Sequence, residues 1–297
     1  MEDSINIISI LRDALKHKTK ILSLFFLTLF ISIIYVKNIN NMYQSTSVLK
    51  FKDSKNNTSY DPFSSISGLI NIPSSSGEHQ LSEVIAVLKS KQFFKHVAQK
   101  HLYLDEIYAV ERYDEKEKEL IYDNTYYNPF ESSWNLENHP CSKDIYYCSH
   151  KKFIDDNFSY SIDKDTGFVE LVIHHESPNF AYTLLDTYIV EINDFFKTKA
   201  IEVSDQSIDY YTNLLNTNSD IVFRTSIMQT LQEEYTIRKT INVNEYFILE
   251  PIIHPYIPIK YSYPNRLVII FSLSLAVFLI SILCAIAYEY VRERDTS

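Results

Sequence analysis

The sequence predicts a membrane-anchored α+β protein. Two transmembrane helices flank an α/β base that carries a long projecting helical hairpin. Three observations lead there. Uncharged apolar runs lie near both ends of the 297 residues. Short β-rich segments sit inside each run. Between those segments about forty residues keep helical spacing and are followed by a reversal and a second helical pattern.

The later apolar run, Leu267–Tyr288, is 22 residues without Asp, Glu, Lys or Arg, enough to cross the hydrocarbon core as a helix. Ile21–Val36 is 16 residues and also uncharged. Lys20 and Lys37 can snorkel at its ends, and polar neighbours can lengthen the helix. A buried core helix would usually show a polar face. A cleaved signal peptide would be followed by a small-residue A-x-A-like site, which YVKNINNMYQS lacks. The first run is therefore expected to stay as an anchor.

Two spans place both tails, 1–20 and 289–297, on one side of the membrane and residues 37–266 on the other. Near the spans, Arg12, Lys16, Lys18, Lys20, Arg292 and Arg294 lie on the tail side, against Lys37, Lys260 and Arg266 on the loop side. That bias predicts cytoplasmic tails. The outer domain then carries 22 basic and 32 acidic residues, and with them the whole net charge of −10. Such a domain offers no basic footprint to nucleic acid and is repelled by anionic lipid.

Along that domain, YQSTSVLKFK (43–52) reads as a strand leaving the membrane. Asp53–Glu78, rich in Ser, Asn, Pro and Gly, reads as a loop. Leu81, Val84, Ile85, Leu88 and Val97 predict one helix near 79–101. Residues 103–157 are aromatic and acidic without a sustained period, and are expected to be irregular with a short helix near 111–121. FSYSID and FVELVIHH form a strand pair about a turn at Lys164–Gly167.

Ser177 suits a helix N-cap and Pro178 the first helical position. Ala181, Leu184, Leu185, Tyr188, Ile192, Phe195 and Phe196 continue at helical spacing, more thinly through Ile201, Ile208, Tyr211 and Leu215. About 40 helical residues would span roughly 60 Å. NTNSD (216–220) is a reversal. Ile221–Lys239 returns with Met228, Leu231 and Tyr235 on one side, placing the arm at about 178–242. EYFILEP is β-like and is expected to end at Glu250.

PIIHPYIPIKYSYP (251–264) follows, with Pro251, Pro255, Pro258 and Pro264. Proline fixes φ and favours the extended polyproline conformation, so the segment reads as a semi-rigid spacer before the second span. One proline would suffice to stop the helix from running upward.

Catalytic signatures are scarce. Three glycines, at 68, 77 and 167, allow no phosphate-cradling loop, and neither G-x-x-x-x-G-K nor G-x-S-x-G occurs. No catalytic residue, cofactor or resident metal is expected. HPCSKDIYYCSH (139–150) is the sharpest constellation. Cys141 and Cys148 lie outside the cytoplasm, where disulfides persist, and are the disulfide candidates. Free thiols are a second reading. A zinc site of His139, Cys141, Cys148 and His150 is a third, although its spacing matches no common zinc pattern. Cys284 fills an apolar position in the second span. His174 and His175 end a strand, as a satisfied pair or as metal ligands. The 23 tyrosines either fill a small core with wet hydroxyls or stack on sugar rings. Ser23, Thr28, Ser32, Ser272, Ser274 and Ser281 within the spans are ordinary span residues or bonds to neighbouring helices.

Several stretches carry a resemblance. ISILRDALKHKTKILSLFFLTLFISIIY followed by YQSTSVL resembles the start of the chain-length determinant family, the Wzz-type polysaccharide co-polymerases. EVIAVLKSKQFF is similar to that family's helix with an L-K-S-R-like element. TGFVELVIHHESPNFAYTLLDTYIVEIN resembles its strand, S-P-x-x-A and amphipathic helix ending in I-N. SIDYYTNLL and LQEEYTIRKTINVNEYFILEPIIHPYIP resemble its helical arm and return to a proline-rich segment. The motifs keep their order over nearly the whole chain. The proline segment departs in having only Lys260 and Arg266 as basic followers.

The resemblance implies a multi-pass inner-membrane protein of a Gram-negative envelope with its large domain in the periplasm. It implies a ring-shaped homo-oligomer that acts with an O-antigen polymerase on growing lipid-linked polysaccharide. The implied role is non-catalytic, setting the modal length of lipopolysaccharide. A capsule or exopolysaccharide co-polymerase is the first alternative, and a membrane-anchored glycan-binding or sensor protein the second.

Overall fold

A computed structural model describes residues 18–52, 77–135 and 141–295. Of the expected loop at 53–78, residues 53–76 lie outside the described residues, as do most of the N-terminal tail and His139, while Gly77 and Glu78 open a helix. The chain forms two compact units. One combines the residues up to Met42 with those from Tyr261 onward; the other is Tyr43–Lys260.

The first unit holds helix α1 (Lys18–Lys37) and the last helix, α8 (Arg266–Asp295). Both are long and apolar enough to cross a membrane. They pack side by side, with Phe25 edge-on to Phe278 at 5.9 Å. Thr28, Ser32, Ser272, Ser274 and Ser281 each donate to a carbonyl one turn back in their own helix. Beyond α1, Met42 N–H donates to the Tyr263 carbonyl (2.8 Å) and Ser262 N–H to the Met42 carbonyl (2.8 Å). Arg266 donates to Asn41 Oδ1 at 2.9 Å.

The second unit is built on one antiparallel sheet. Its strands are β1 (Tyr43–Phe51), β6 (Phe158–Ile162), β7 (Val169–His175) and β8 (Leu249–Ile253), in the order β6-β7-β1-β8. Tyr43, Ser45, Ser47 and Leu49 of β1 are buried in alternation, the signature of a strand with one packed face. Tyr43 pairs with His175 and Leu49 with Val169. On the other side Phe51 pairs with Leu249 and Leu49 with Pro251, with a register shift at Val48/Leu49. Proline is tolerated there because β8 is an edge strand.

Helix α6 (Pro178–Thr217) begins as its sequence predicts. Ser177 Oγ accepts from Phe180 N–H at 3.3 Å, and Pro178 occupies the first turn. Its first half buries Phe180, Leu184, Leu185, Tyr188, Ile192 and Phe196 in one core with Leu49, Leu171, Ile173 and Phe158. Each such side chain contributes about 1.5–3 kcal/mol on burial.

The same core takes in α2 (Gly77–Leu88) and α3 (Lys91–His101). A single helix over 79–101 was expected, and the chain instead breaks at Lys89-Ser90. Ser90 Oγ accepts from Phe93 N–H at 3.1 Å and so caps a new helix. The break lets Val84 and Leu88 from one helix and Phe93, Phe94 and Val97 from the next all join the core.

The described residues between 103 and 157 hold more order than expected. After α4 (Leu104–Tyr108) come β2 (Val110–Asp114) and β3 (Glu119–Tyr122), paired as a hairpin where a short helix was expected. Asp114 Oδ1 accepts from the N–H groups of Lys116 (2.8 Å) and Glu117 (3.3 Å), and Lys118 adopts φ 57°. That carboxylate organises a turn in a run of charges that otherwise reads as helix. A two-residue pair follows, β4 (Tyr127–Asn128) with β5 (Ser133–Trp134). Helix α5 (Ile145–Lys152) then runs into a π-turn at Phe153–Asn157.

Beyond the sheet, α6 packs against α7 (Ile221–Val243). The reversal is short, and Asp220 caps α7 by accepting from Phe223 N–H at 2.9 Å. Sequence periodicity put Met228, Leu231 and Tyr235 on one side. In the structure Met228 and Tyr235 are exposed, while Ile227 and Ile241 are buried. The inward stripe includes charged residues, which hid it. Arg238 pairs with Asp205, Ser204 donates to Glu234, and Arg224 donates to the Leu215 and Asn218 carbonyls.

Candidate functional site

The proline segment is fastened to the sheet for much of its length. Strand β8 runs to Ile253, three residues beyond the expected end at Glu250, because Leu49 and Val48 continue to pair with it. Ser47 Oγ then donates to the Ile253 carbonyl (2.7 Å) and Ser45 Oγ to the Tyr256 carbonyl (2.9 Å). Both serines are fully buried. A buried hydroxyl needs a partner, and these find theirs in a segment too proline-rich to supply a full ladder. Pro255 and Pro258, three apart, are buried, while Tyr256, Ile257 and Ile259 are exposed. A period of three is that of the polyproline helix. The division between the two units falls after Lys260, so Pro251, Pro255 and Pro258 belong to the sheet-bearing unit and Pro264 to the helical one.

Asn193 on α6 anchors the entry to β8. Its Oδ1 accepts from the backbone N–H groups of Phe247 (2.8 Å), Ile248 (2.8 Å) and Leu249 (3.1 Å). Its Nδ2 donates to the carbonyls of Ile189 (2.8 Å) and Leu249 (2.9 Å). One side chain, 2% exposed, thus satisfies five backbone groups. Its place in the I-N pair that closes VEIN was the available signal in the sequence.

Glu191, two residues earlier, is also buried. It meets Lys100 Nζ at 2.7 Å, His101 Nε2 at 2.8 Å and His96 Nε2 at 3.3 Å. Burial alone raises the carboxyl, but hydrogen bonds from Lys100 and His101 outweigh it and hold it below the usual range. This cluster ties α3 to α6, and no spacing in the sequence announces it.

Cys141 and Cys148 are joined as a disulfide, with Cα atoms 6.0 Å apart. The bond links the start of the 141–157 segment to α5. Both sulfurs of the alternative zinc set are thereby engaged. His150 bonds the Lys89 carbonyl at 2.8 Å and lies edge-on to Phe94. Asp144 caps α5 through Tyr147 N–H (3.0 Å) and meets Lys91 at 2.5 Å.

At the end of β7, His175 is buried and satisfied at both ring nitrogens. Ser177 N–H donates to Nδ1 (3.0 Å), so Nε2 carries the proton and donates to the Glu106 carbonyl (2.9 Å). Burial lowers its pKa and keeps it neutral. The His174 carbonyl accepts from Asn157 Nδ2 at 2.8 Å. Glu106 itself is pushed up to about 7, first by burial and then by the neighbouring Asp105 charge.

No protein-family model matches the sequence, and no curated protein does. Solved structures do resemble it. A full-length bacterial polysaccharide co-polymerase has a TM-score of 0.44 at 10% identity, covering 98% of this chain and 100% of that one. A fragment of WzzB, a polysaccharide co-polymerase from Salmonella Typhimurium, has a TM-score of 0.34 at 13% identity, covering 75% of this chain and 100% of that one.

Proposed function

We propose that this chain is a non-catalytic, Wzz-type regulator of polysaccharide chain length. In this reading it sits in the bacterial inner membrane with residues 37–266 in the periplasm, and acts with the O-antigen polymerase to set the modal length of lipopolysaccharide. The observation that carries the reading is the pairing of β1 with β8. These strands follow the first span-length helix and precede the second in sequence, and they are neighbours in one sheet, cross-bonded by Ser45 and Ser47. A domain whose entrance and exit are tied together is a rigid base, which a scaffold requires and a free-swinging linker would defeat. The ordered sequence resemblance over the spans, base, arm and proline segment supports the same reading.

On this account α6 and α7 form the projecting arm. Exposed Met228 and Tyr235 on α7, together with the sheet edges, supply contacts between identical subunits in a ring. Exposed Tyr256, Ile257 and Ile259 on the proline segment face the polymerase. No reaction is assigned to the chain. Deleting the gene and displaying lipopolysaccharide on a gel tests the proposal. Loss of the modal cluster of bands is expected. An unchanged ladder with altered capsule would replace it with the capsule or exopolysaccharide reading.

A further inference from the structure

A second feature of the base lies apart from the proline segment. A cleft of about 760 Å³ opens beside the β2–β3 hairpin and the first turns of α6. That volume falls within the roughly 300–1,000 Å³ of small-molecule sites. Its lining includes the aromatic residues Tyr113, Tyr122 and Phe130 and the polar residues Asn124, Asn179 and Glu106. Phe130 is 97% exposed, and its backbone is set by Asn128 Oδ1, which accepts from Phe130 N–H at 3.1 Å. Tyr113 is braced edge-on by Tyr43, and Tyr122 by a tilted Tyr127 ring 5.4 Å away.

We propose that this cleft binds a neutral oligosaccharide segment. Braced rings beside amide groups suit a pyranose, whose C–H face packs on an aromatic ring while its hydroxyls both donate and accept. Asn124 and Asn179 each offer a donor and an acceptor. Glu106, with its carboxyl raised to about 7, retains a proton in much of the population near neutral pH and can donate as well as accept. The charge balance selects among glycans. Glu119 and adjacent Asp105 outnumber Lys118, so uronic-acid or phosphate-bearing chains are disfavoured. The site stands on the cleft's own geometry, and chain-length control could hold or fail independently of it.

The test uses the full chain in detergent micelles with three probes: maltohexaose, chitohexaose and hexagalacturonate. Saturation-transfer NMR should show at least one neutral hexamer bound, and hexagalacturonate at least tenfold weaker. The Phe130→Ala/Asn124→Ala variant changes two exposed side chains, so its unfolding temperature should match wild type while neutral-glycan affinity falls at least tenfold. Three results would overturn the proposal: neither neutral hexamer binds, hexagalacturonate binds equally well, or the variant with unchanged unfolding temperature binds like wild type. A negative binding result alongside an altered lipopolysaccharide ladder would remove this site and leave the chain-length role standing.

Discussion

At the scale of single residues, Asn193 carries the heaviest structural duty. Replacing it with alanine removes the acceptor of three buried N–H groups and a donor to the Leu249 carbonyl at the entry to β8. At about 1–3 kcal/mol for each group left unpaired, partly relieved by relaxation, Asn193→Ala should cost roughly 3–5 kcal/mol. Thermal unfolding of the detergent-solubilised chain reads this directly, and a shift within error of zero would refute the anchoring role. Asn193→Asp should also destabilise, since a second carboxylate oxygen would face the Ile189 and Leu249 carbonyls. His175 and Glu106 set opposing pH dependences. The lowered pKa of His175 means that the unfolded chain takes up its proton first, so stability falls as pH drops below about 6.5. The raised pKa of Glu106 means that the folded chain takes up its proton first, so stability rises as pH falls from about 7 towards about 4.5. Unfolding of His175→Gln and Glu106→Gln against wild type between pH 7.5 and 5 separates the two. Each variant should lose its own slope.

At the scale of elements, legibility followed locality. Ser177-Pro178 opened α6 where its capping chemistry said it would, and the Lys164–Gly167 turn separated β6 from β7. Ser90 capped α3 in the middle of an apolar period, and periodicity alone ran straight through it. The charged run after Asp114 has helical composition, but the Asp114 carboxylate and the pairing of Tyr113 with Leu120 won over propensity. The inward stripe of α7 was obscured because Arg224, Glu234 and Arg238 share it with Ile227 and Ile241. For the proline segment, the composition predicted an extended chain. Its attachment to β1 depended on two serines some 200 residues away, as the separations of 206 and 211 residues show. Ser45→Ala/Ser47→Ala should leave the Ile253 and Tyr256 carbonyls without these bonds and raise hydrogen exchange along 251–260 by at least tenfold. Exchange equal to wild type would mean that the prolines hold the segment alone. For the disulfide, a Cys284→Ser background should show Cys141 and Cys148 blocked to maleimide until reductant is added. Full labelling without reductant would show free thiols. Removing both cysteines should cost about 2 kcal/mol, seen as faster proteolysis within 141–157.

At the scale of the whole molecule, the two span-length helices and the α+β class were readable from charge and periodicity. The sheet order was not, because β1 meets β8 across about two hundred residues and no local pattern records that pairing. In the proposed reading the pairing matters because it sets strands β1 and β8 side by side, with the proline segment bonded to β1 through Ser45 and Ser47. If the base sets polymer length, disturbing the segment should retune the product without destroying it. Pro255→Ala/Pro258→Ala should shift the modal length while the protein remains present in the membrane. The most direct measurement is the band distribution of lipopolysaccharide in a strain lacking this gene, with and without the wild-type chain restored. The account predicts that the deletion spreads the O-antigen lengths into an unregulated ladder and that the restored chain returns one modal cluster. The same clustered distribution in all strains, with this chain confirmed absent from the deletion, would contradict it.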